Sequence, residues 1–299
     1  MAQSQGITFD GEKLVVHAKK QSQFKVVFLR IFENPGAVFG MIVFMLLLLA
    51  SIFAPLLTPY EYDIIDIINM NQAPSWSHLC GTDNLGRDIL TRLLYGGRYS
   101  LTIGIFATAI GMAVGLALGA LAGFFGGAVD EVIMRICDIL QSIPGQVLNV
   151  AIACALGSGY VNCIIALSVP GIAGSARMLR ANILSIREME YIQAAQITNC
   201  STAKTIMKHL LPNAIAPSIV QATMSIGGTI SMAAGLAYLG LGVQAPTPEW
   251  GTMLSDGRAN MSFYPWQCIF PGVMILITVL ALNLFGDGLR DAMDPKLKK

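Results

Sequence analysis

Three histidines, six cysteines and one tight group of charges carry whatever side-chain chemistry this sequence can offer. His17, His78 and His209 are far apart and show none of the short spacings that build a metal site. Cys80, Cys137, Cys154, Cys163, Cys200 and Cys268 are scattered without a C-x-x-C pair, so neither zinc binding nor dithiol redox work is indicated, and they read as small packing residues. The charges are Asp83, Arg87, Asp88 and Arg92 in LCGTDNLGRDILTRLLYGGRYSL. Asp88 and Arg92 stand four apart, the spacing of an ion pair on one helix face. That group is expected to brace structure rather than hold substrate. No stretch matches G-x-x-x-x-G-K-[ST], the loop that cradles nucleotide phosphates. If this chain moves a solute uphill, another chain must supply the energy.

The elements that position these residues follow from composition. Of 299 residues, 54% are hydrophobic and 12% charged, and the mean hydropathy is +0.62. An ordinary soluble domain carries about 25% charged residues, so this is an integral membrane protein. The net charge of +1 gives no basic excess for nucleic acid. A bilayer core takes about 20 apolar residues per helix. Runs of that kind occupy 36–57, 101–127, 140–156, 161–176, 213–239 and 266–286, which predicts an all-α, polytopic protein with six transmembrane helices. Of the 19 lysines and arginines, only Arg87, Arg92, Arg98 and Arg258 fall on the side opposite the termini. By the positive-inside rule both termini are cytoplasmic. Cys80 and Cys268 are then the two cysteines on the outer side, which leaves one disulfide open.

This organisation gives a cytoplasmic segment 1–35, a first span 36–57, an outer loop 58–100 and a five-helix core 101–290 with a short tail 291–299. Within the outer loop, Thr82 or Asp83 can cap a helix, with Leu85, Ile89, Leu90, Leu93 and Leu94 as its apolar stripe and Gly96–Gly97 as its stop. Gly111, Gly115, Gly119, Gly123 and Gly127 recur every fourth residue, which makes a flat helix face suited to close helix packing. Pro170, Gly171, Gly174, Gly227, Gly228 and Gly235 are candidate kinks, tolerated where a span faces protein or a water-filled path. No Asp, Glu, Lys, Arg or His lies in the span cores, so nothing there offers the relay of an ion-coupled carrier.

YIQAAQITNCSTAKTIMKHLLPN, residues 191–213, is polar and helix-prone between apolar spans. Asn199 suits the left-handed turn between two short helices. Ser201 can cap the second, whose apolar face is Ala203, Ile206, Met207, Leu210 and Leu211 before Pro212 ends it. Such a helix-turn-helix facing the cytoplasm is an unfinished interface, because helices this short are marginal alone.

That stretch resembles the "EAA" cytoplasmic loop of ABC importer permeases, with Gln193, Ala194 and Ala195 at E-A-A, Asn199 at the glycine and Leu211–Pro212–Asn213 at the close. Gln193 lacks the acidic charge, and Asn199 replaces glycine. LCGTDNLGRDILTRLLYGGRYSL, LGLGVQAPTPEWGTMLSDGR and NLFGDGLRDAMDPKL extend the resemblance, from about residue 28 to the C-terminus, to the C-type permease of the dipeptide/oligopeptide subfamily. The resemblance implies a type I ABC importer permease fold and a non-catalytic subunit in a prokaryotic cell membrane. It implies as partners a homologous second permease, two cytoplasmic ATPases that bind ATP and Mg, and an extracytoplasmic solute-binding protein. It also implies a coupling loop, 187–212, in which Tyr191, Gln193, Ala194, Ala195, Asn199, Ile206, Leu210, Leu211 and Pro212 meet the ATPase. Short peptides are the expected cargo; nickel, a metal chelate or another peptide-like solute is the alternative within the family, and a stand-alone channel or carrier the alternative outside it.

Overall fold

The computed structural model describes residues 7–10, 13–16, 23–189, 192, 201 and 204–293. A two-stranded antiparallel hairpin, β1 (Ile7–Asp10) and β2 (Lys13–Val16), precedes an otherwise helical chain. The helices are α1 (Gln23–Glu33), α2 (Pro35–Ile52), α3 (Ala54–Leu57), α4 (Ile89–Phe125), α5 (Gly127–Ser142), α6 (Gly145–Leu156) and α7 (Tyr160–Ile186). After a π-helical stretch, Thr205–Leu210, come α8 (Leu211–Ala214), α9 (Ala216–Tyr238), α10 (Trp250–Gly257) and α11 (Trp266–Met293). Five of these, α2, α4, α7, α9 and α11, are long and apolar enough to cross a membrane, and the bent pair α5–α6 makes a sixth if counted as one span.

The third run is the one whose shape the sequence missed. α6 has 12 residues, about 18 Å at 1.5 Å per residue, short of a bilayer core of about 30 Å. It meets α5 at 92° across Ile143–Pro144, because Pro144 has no N–H to continue a helical ladder. α5 is amphipathic: Asp130 forms a bidentate pair with Arg180 of α7, and Asp138 accepts from Arg177 at 2.7 Å.

The expected outer helix is also different. No separate helix ends at Gly96–Gly97; α4 runs unbroken for 37 residues, about 56 Å, and so extends well beyond one bilayer core. The two glycines admit a neighbour instead of ending the helix. A β-carbon at Gly97 would lie 3.0 Å from the Trp250 ring, and one at Gly96 3.4 Å from the Glu249 nitrogen.

α4 and α7 share the largest interface, and four of the five spaced glycines build it. A β-carbon at Gly111 would meet the Ser168 carbonyl oxygen at 2.7 Å, at Gly115 the Ile172 carbonyl at 2.6 Å, and at Gly123 the Ile183 side chain at 2.7 Å; at Gly119 it would strike the Ala176 carbonyl. Gly127 leaves the pattern. It follows the helix break at Gly126 with φ +51°, in open space, so it serves the turn into α5 rather than packing.

Candidate translocation path, coupling segment and outer cap

Two cavities lie side by side in the bundle. The larger, about 340 Å³, is walled by α4 (Ala107, Thr108, Met112), α7 (Leu167, Pro170, Gly171, Gly174, Ser175) and α9 (Gln221, Ala222, Ser225, Gly228, Thr229), with Asn149 reaching in from α6. The smaller, about 190 Å³, lies between Gln146 and Val150 of α6 and Ser231, Gly235 and Leu236 of α9. Asn149 and Met232 border both. Among the described residues lining them none is charged. Thr108 and Thr229 bridge α4 to α9 at 3.1 Å across one wall.

Glycine makes this space. β-carbons at Gly174, Gly228 and Gly235 would meet nothing within 4 Å, and one at Gly171 only Gly111 at 3.8 Å. The residues that read as kinks, Pro170, Gly171, Gly174, Gly228 and Gly235, therefore line the cavities. Gly227 turns the other way and packs on Val279 of α11.

At the bundle end where α4 and α7 finish, the segment leading to α9 begins. Tyr191, Gln193, Ala194, Ala195, Asn199 and Ala203 lie outside the described residues. Ile192 and Leu210 are fully buried with Leu179, Ile183, Ala120 and Ala214, and Ile206 and Leu211 pack partly against the same cluster. The expected exposed stripe is thus partly turned inward: Leu210 anchors the segment to α4 and α7, while Met207 stays 65% exposed. Nor does Pro212 end a helix. It sits in the first turn of α8 and is exposed. Its missing N–H is absorbed by the π-helical stretch before it, in which the Leu211 N–H reaches back to the Ile206 carbonyl. The Asn182 side-chain amide donates to the Ala214 carbonyl at 3.1 Å, and Arg187 donates to the Gly123 carbonyl at 3.2 Å, tying the segment to two spans.

The opposite end is a cap built from the loop 58–88 and α10. Asp88, not Thr82 or Asp83, caps α4: its Oδ2 accepts from the Thr91 N–H and hydroxyl, each at 2.7 Å, and its Oδ1 faces His78 Nδ1 at 2.9 Å. Asp83 accepts from the Leu85 and Arg87 N–H groups and from Arg87 Nε at 2.7 Å, with Arg92 Nε 3.6 Å away. The expected Asp88–Arg92 pair is replaced by this arrangement, and Arg92 also donates to the Tyr62 carbonyl at 3.0 Å. Arg87, Asp88 and Arg92 are all buried rather than spread on a polar face. Burial explains the pairing, since a buried charge is tolerated only when paired and hydrogen-bonded. Cys80, half-buried here, has its thiol pushed up to about 11 by burial and by the nearby Asp88 carboxylate. Cys80 and Cys268 are both free thiols. Among the described residues no group of three or more His, Cys, Asp or Glu is arranged to hold a metal.

The keystone of the cap had no assigned role in the sequence reading. Glu249, 2% exposed, accepts from the Ser100 hydroxyl at 2.7 Å and from the Gly251 and Thr252 N–H groups at 2.9 Å, capping α10. Trp250, fully buried, donates Nε1 to the Leu93 carbonyl at 2.8 Å. An acidic residue just before a helix start is a signal that can be read in TPEWGTML; its docking onto Gly96 and Gly97 is not.

The family described as binding-protein-dependent transport system inner membrane component matches residues 115–299, and the N-terminal TM domain of oligopeptide transport permease C matches residues 22–74. The chain belongs to this family of transport permeases. It is 43% identical over 277 residues to the dipeptide transport system permease protein DppC of Alkalihalophilus pseudofirmus, covering 93% of this chain and 91% of the relative. It is 40% identical over 290 residues to the oligopeptide transport system permease protein OppC of Bacillus subtilis, covering 97% and 94%. The glutathione transport system permease protein GsiD of Pectobacterium atrosepticum is 44% identical over 257 residues, with 85% of each chain covered. Among solved structures, an inward-facing MetNI methionine ABC transporter chain superposes with a TM-score of 0.55 at 20% identity, over 68% of this chain and 97% of that one. That likeness shows the fold, that of an ABC importer permease. This permease is therefore a multi-pass membrane subunit without catalysis of its own.

Proposed function

We propose that this chain is one of two membrane subunits of an ATP-driven importer of short peptides, dipeptides or oligopeptides. Its partners are a homologous second permease, two cytoplasmic ATPases that bind ATP and Mg, and an extracytoplasmic solute-binding protein. The cargo is argued from relatives named for dipeptide, oligopeptide and glutathione transport. One observation carries the mechanism: Ile192 and Leu210 are buried against α4 and α7, whose further turns wall the larger cavity. A push that reaches Ile192 and Leu210 is then delivered to the cavity walls through packed side chains. Among the described residues, Met207 and Met189 are exposed apolar groups available to the ATPase groove, and Gln193, Ala194, Ala195, Asn199 and Pro212 belong to the same proposed contact.

The test is assembly and uptake. Co-expressed with its partners, the permease should co-purify with the ATPase pair and support ATP-dependent peptide uptake into proteoliposomes. Peptide flux through this chain alone, without ATP, would refute the assignment. Met207→Asp should reduce ATPase co-purification and leave membrane insertion unchanged, because a carboxylate would be forced into an apolar contact. Leu211→Asp is less specific, since Leu211 also packs on the inner cluster.

A further inference from the structure

A third cavity, about 390 Å³, opens at the coupling end of the bundle, where α7, the start of α9 and the end of α11 come together. Met178 of α7, Val220, Gln221 and Met224 of α9, and Arg290 and Met293 of α11 wall it. Gln221 also borders the larger cavity, which in turn shares Asn149 and Met232 with the smaller one. The three cavities therefore follow one another along α9, and Arg290 is the one charged residue among the described residues lining them. Other arginines at this end are engaged, Arg177 with Asp138, Arg180 with Asp130 and Arg187 with the Gly123 carbonyl. Arg290 is exposed and its side chain makes no hydrogen bond or ion pair among the described residues; Asp287 and Asp291 share its helix, and neither pairs with it. A cation in the last turn of a helix is favourable in itself, which accounts for the charge but not for its place at a cavity lined by three methionines.

These side chains select a class of ligand. A guanidinium binds a carboxylate or phosphate through paired N–H bonds. Methionine is flexible and polarizable, and packs against apolar groups of differing shape. Among the described lining residues there is no carboxylate, so a cationic ligand finds no partner. A short peptide carries the matching features side by side at its C-terminus: a carboxylate that every peptide has and a side chain that varies. We propose that this cavity binds the C-terminal end of a peptide at the coupling end of the path, Arg290 holding the carboxylate while Met178, Met224 and Met293 receive the last side chain. This rests on the peptide-import reading above. It adds that a resting transporter, with no binding protein present, holds peptide at this site and prefers the free acid.

The test is peptide binding to the complete transporter, both permeases with their ATPases, in phosphatidylcholine nanodiscs without binding protein, followed by saturation-transfer NMR. The probes are alanyl-leucine and its C-terminal amide. The wild type should bind the acid about tenfold more tightly than the amide, the worth of one hydrogen bond to a charged group. Arg290→Gln should weaken the acid to the level of the amide and leave the amide where it was. Arg290→Lys, which keeps the charge without the paired donors, should fall between. Equal binding of acid and amide by the wild type overturns the proposal, and this comparison needs no variant to assemble. An Arg290→Gln transporter that keeps the preference also overturns it, by putting the carboxylate elsewhere in the path. Loss of acid binding when phosphatidylglycerol is added to the nanodiscs would assign Arg290 to a lipid phosphate and overturn the peptide site. ATP-dependent uptake by the same preparation, with binding protein restored, tests the reading beneath: a wild type that imports peptide but shows no preference for the acid loses this site alone, and one that imports none loses both.

Discussion

At the scale of single residues, the chemistry of this permease lies in charges and polar groups that are used up in place. Asp83, Arg87, Asp88 and Arg92 each have partners inside the cap, so their worth is in fixing the start of α4. Cys80 is the measurable probe of that environment. Its thiol lies at about 11 against an ordinary 9.0. The folded value is raised, so the protonated thiol is the form the fold favours; that contribution is intact below 9 and fades as pH rises toward 11. Iodoacetamide should therefore alkylate Cys80 roughly 100-fold more slowly near pH 8 than an ordinary exposed thiol, since the thiolate is the nucleophile. The rate should keep rising past pH 9 instead of levelling there. A rate profile with its midpoint near 9 would contradict the burial and the Asp88 proximity together.

Elements divide their glycines between two jobs, and the division can be tested. Gly111, Gly115, Gly119 and Gly123 let the backbone of α4 touch α7, whereas Gly174, Gly228 and Gly235 face empty space. Gly115→Ala and Gly119→Ala should each destabilise the purified protein, by about 1–3 kcal/mol as for other overpacked sites, seen as a lower melting temperature in detergent. Gly228→Ala and Gly235→Ala should be neutral or stabilising by up to about 1 kcal/mol through helix propensity. Enlarging the second pair to leucine should leave the fold intact but block uptake, because the added side chains occupy the cavities. The packing argument would be lost if both pairs behaved alike in thermal unfolding.

Across the whole molecule, the charges sort to two ends. Arg87, Arg92 and Arg98 lie with the cap, where Arg98 donates to the Ser51 and Ile52 carbonyls at 2.7 Å and so stabilises the C-terminus of α2. Arg177, Arg180 and Arg187 lie at the coupling end. The positive-inside rule, applied to the lysines and arginines of the whole sequence, predicts that the coupling end faces the cytoplasm. Trp76, 97% exposed on the cap, is the natural reporter. In a background lacking Cys154, Trp76→Cys should react with an impermeant maleimide from outside intact cells. Lys208→Cys, exposed at the coupling end, should react only after the membrane is opened. The reverse pattern would invert the topology and remove the ATPase docking site from the cytoplasm.

The amino-acid sequence alone determined the class of this protein, because burial in lipid demands long uninterrupted apolar runs and those are visible one residue at a time. It also exposed the glycine face of α4, since helical periodicity translates spacing directly into faces. Tertiary structure decided the rest. Whether Gly96–Gly97 stops a helix or admits a tryptophan depends on Trp250, some 150 residues away in the chain. Whether Leu210 faces a partner or the core depends on Ile183 and Leu179 of another span. Asn149, unremarked among apolar neighbours in the sequence, comes to lie between two cavities only when α6 folds back at Pro144. A propensity or a hydropathy is a property of the local chain, whereas a cavity is a property of everything that packs around it.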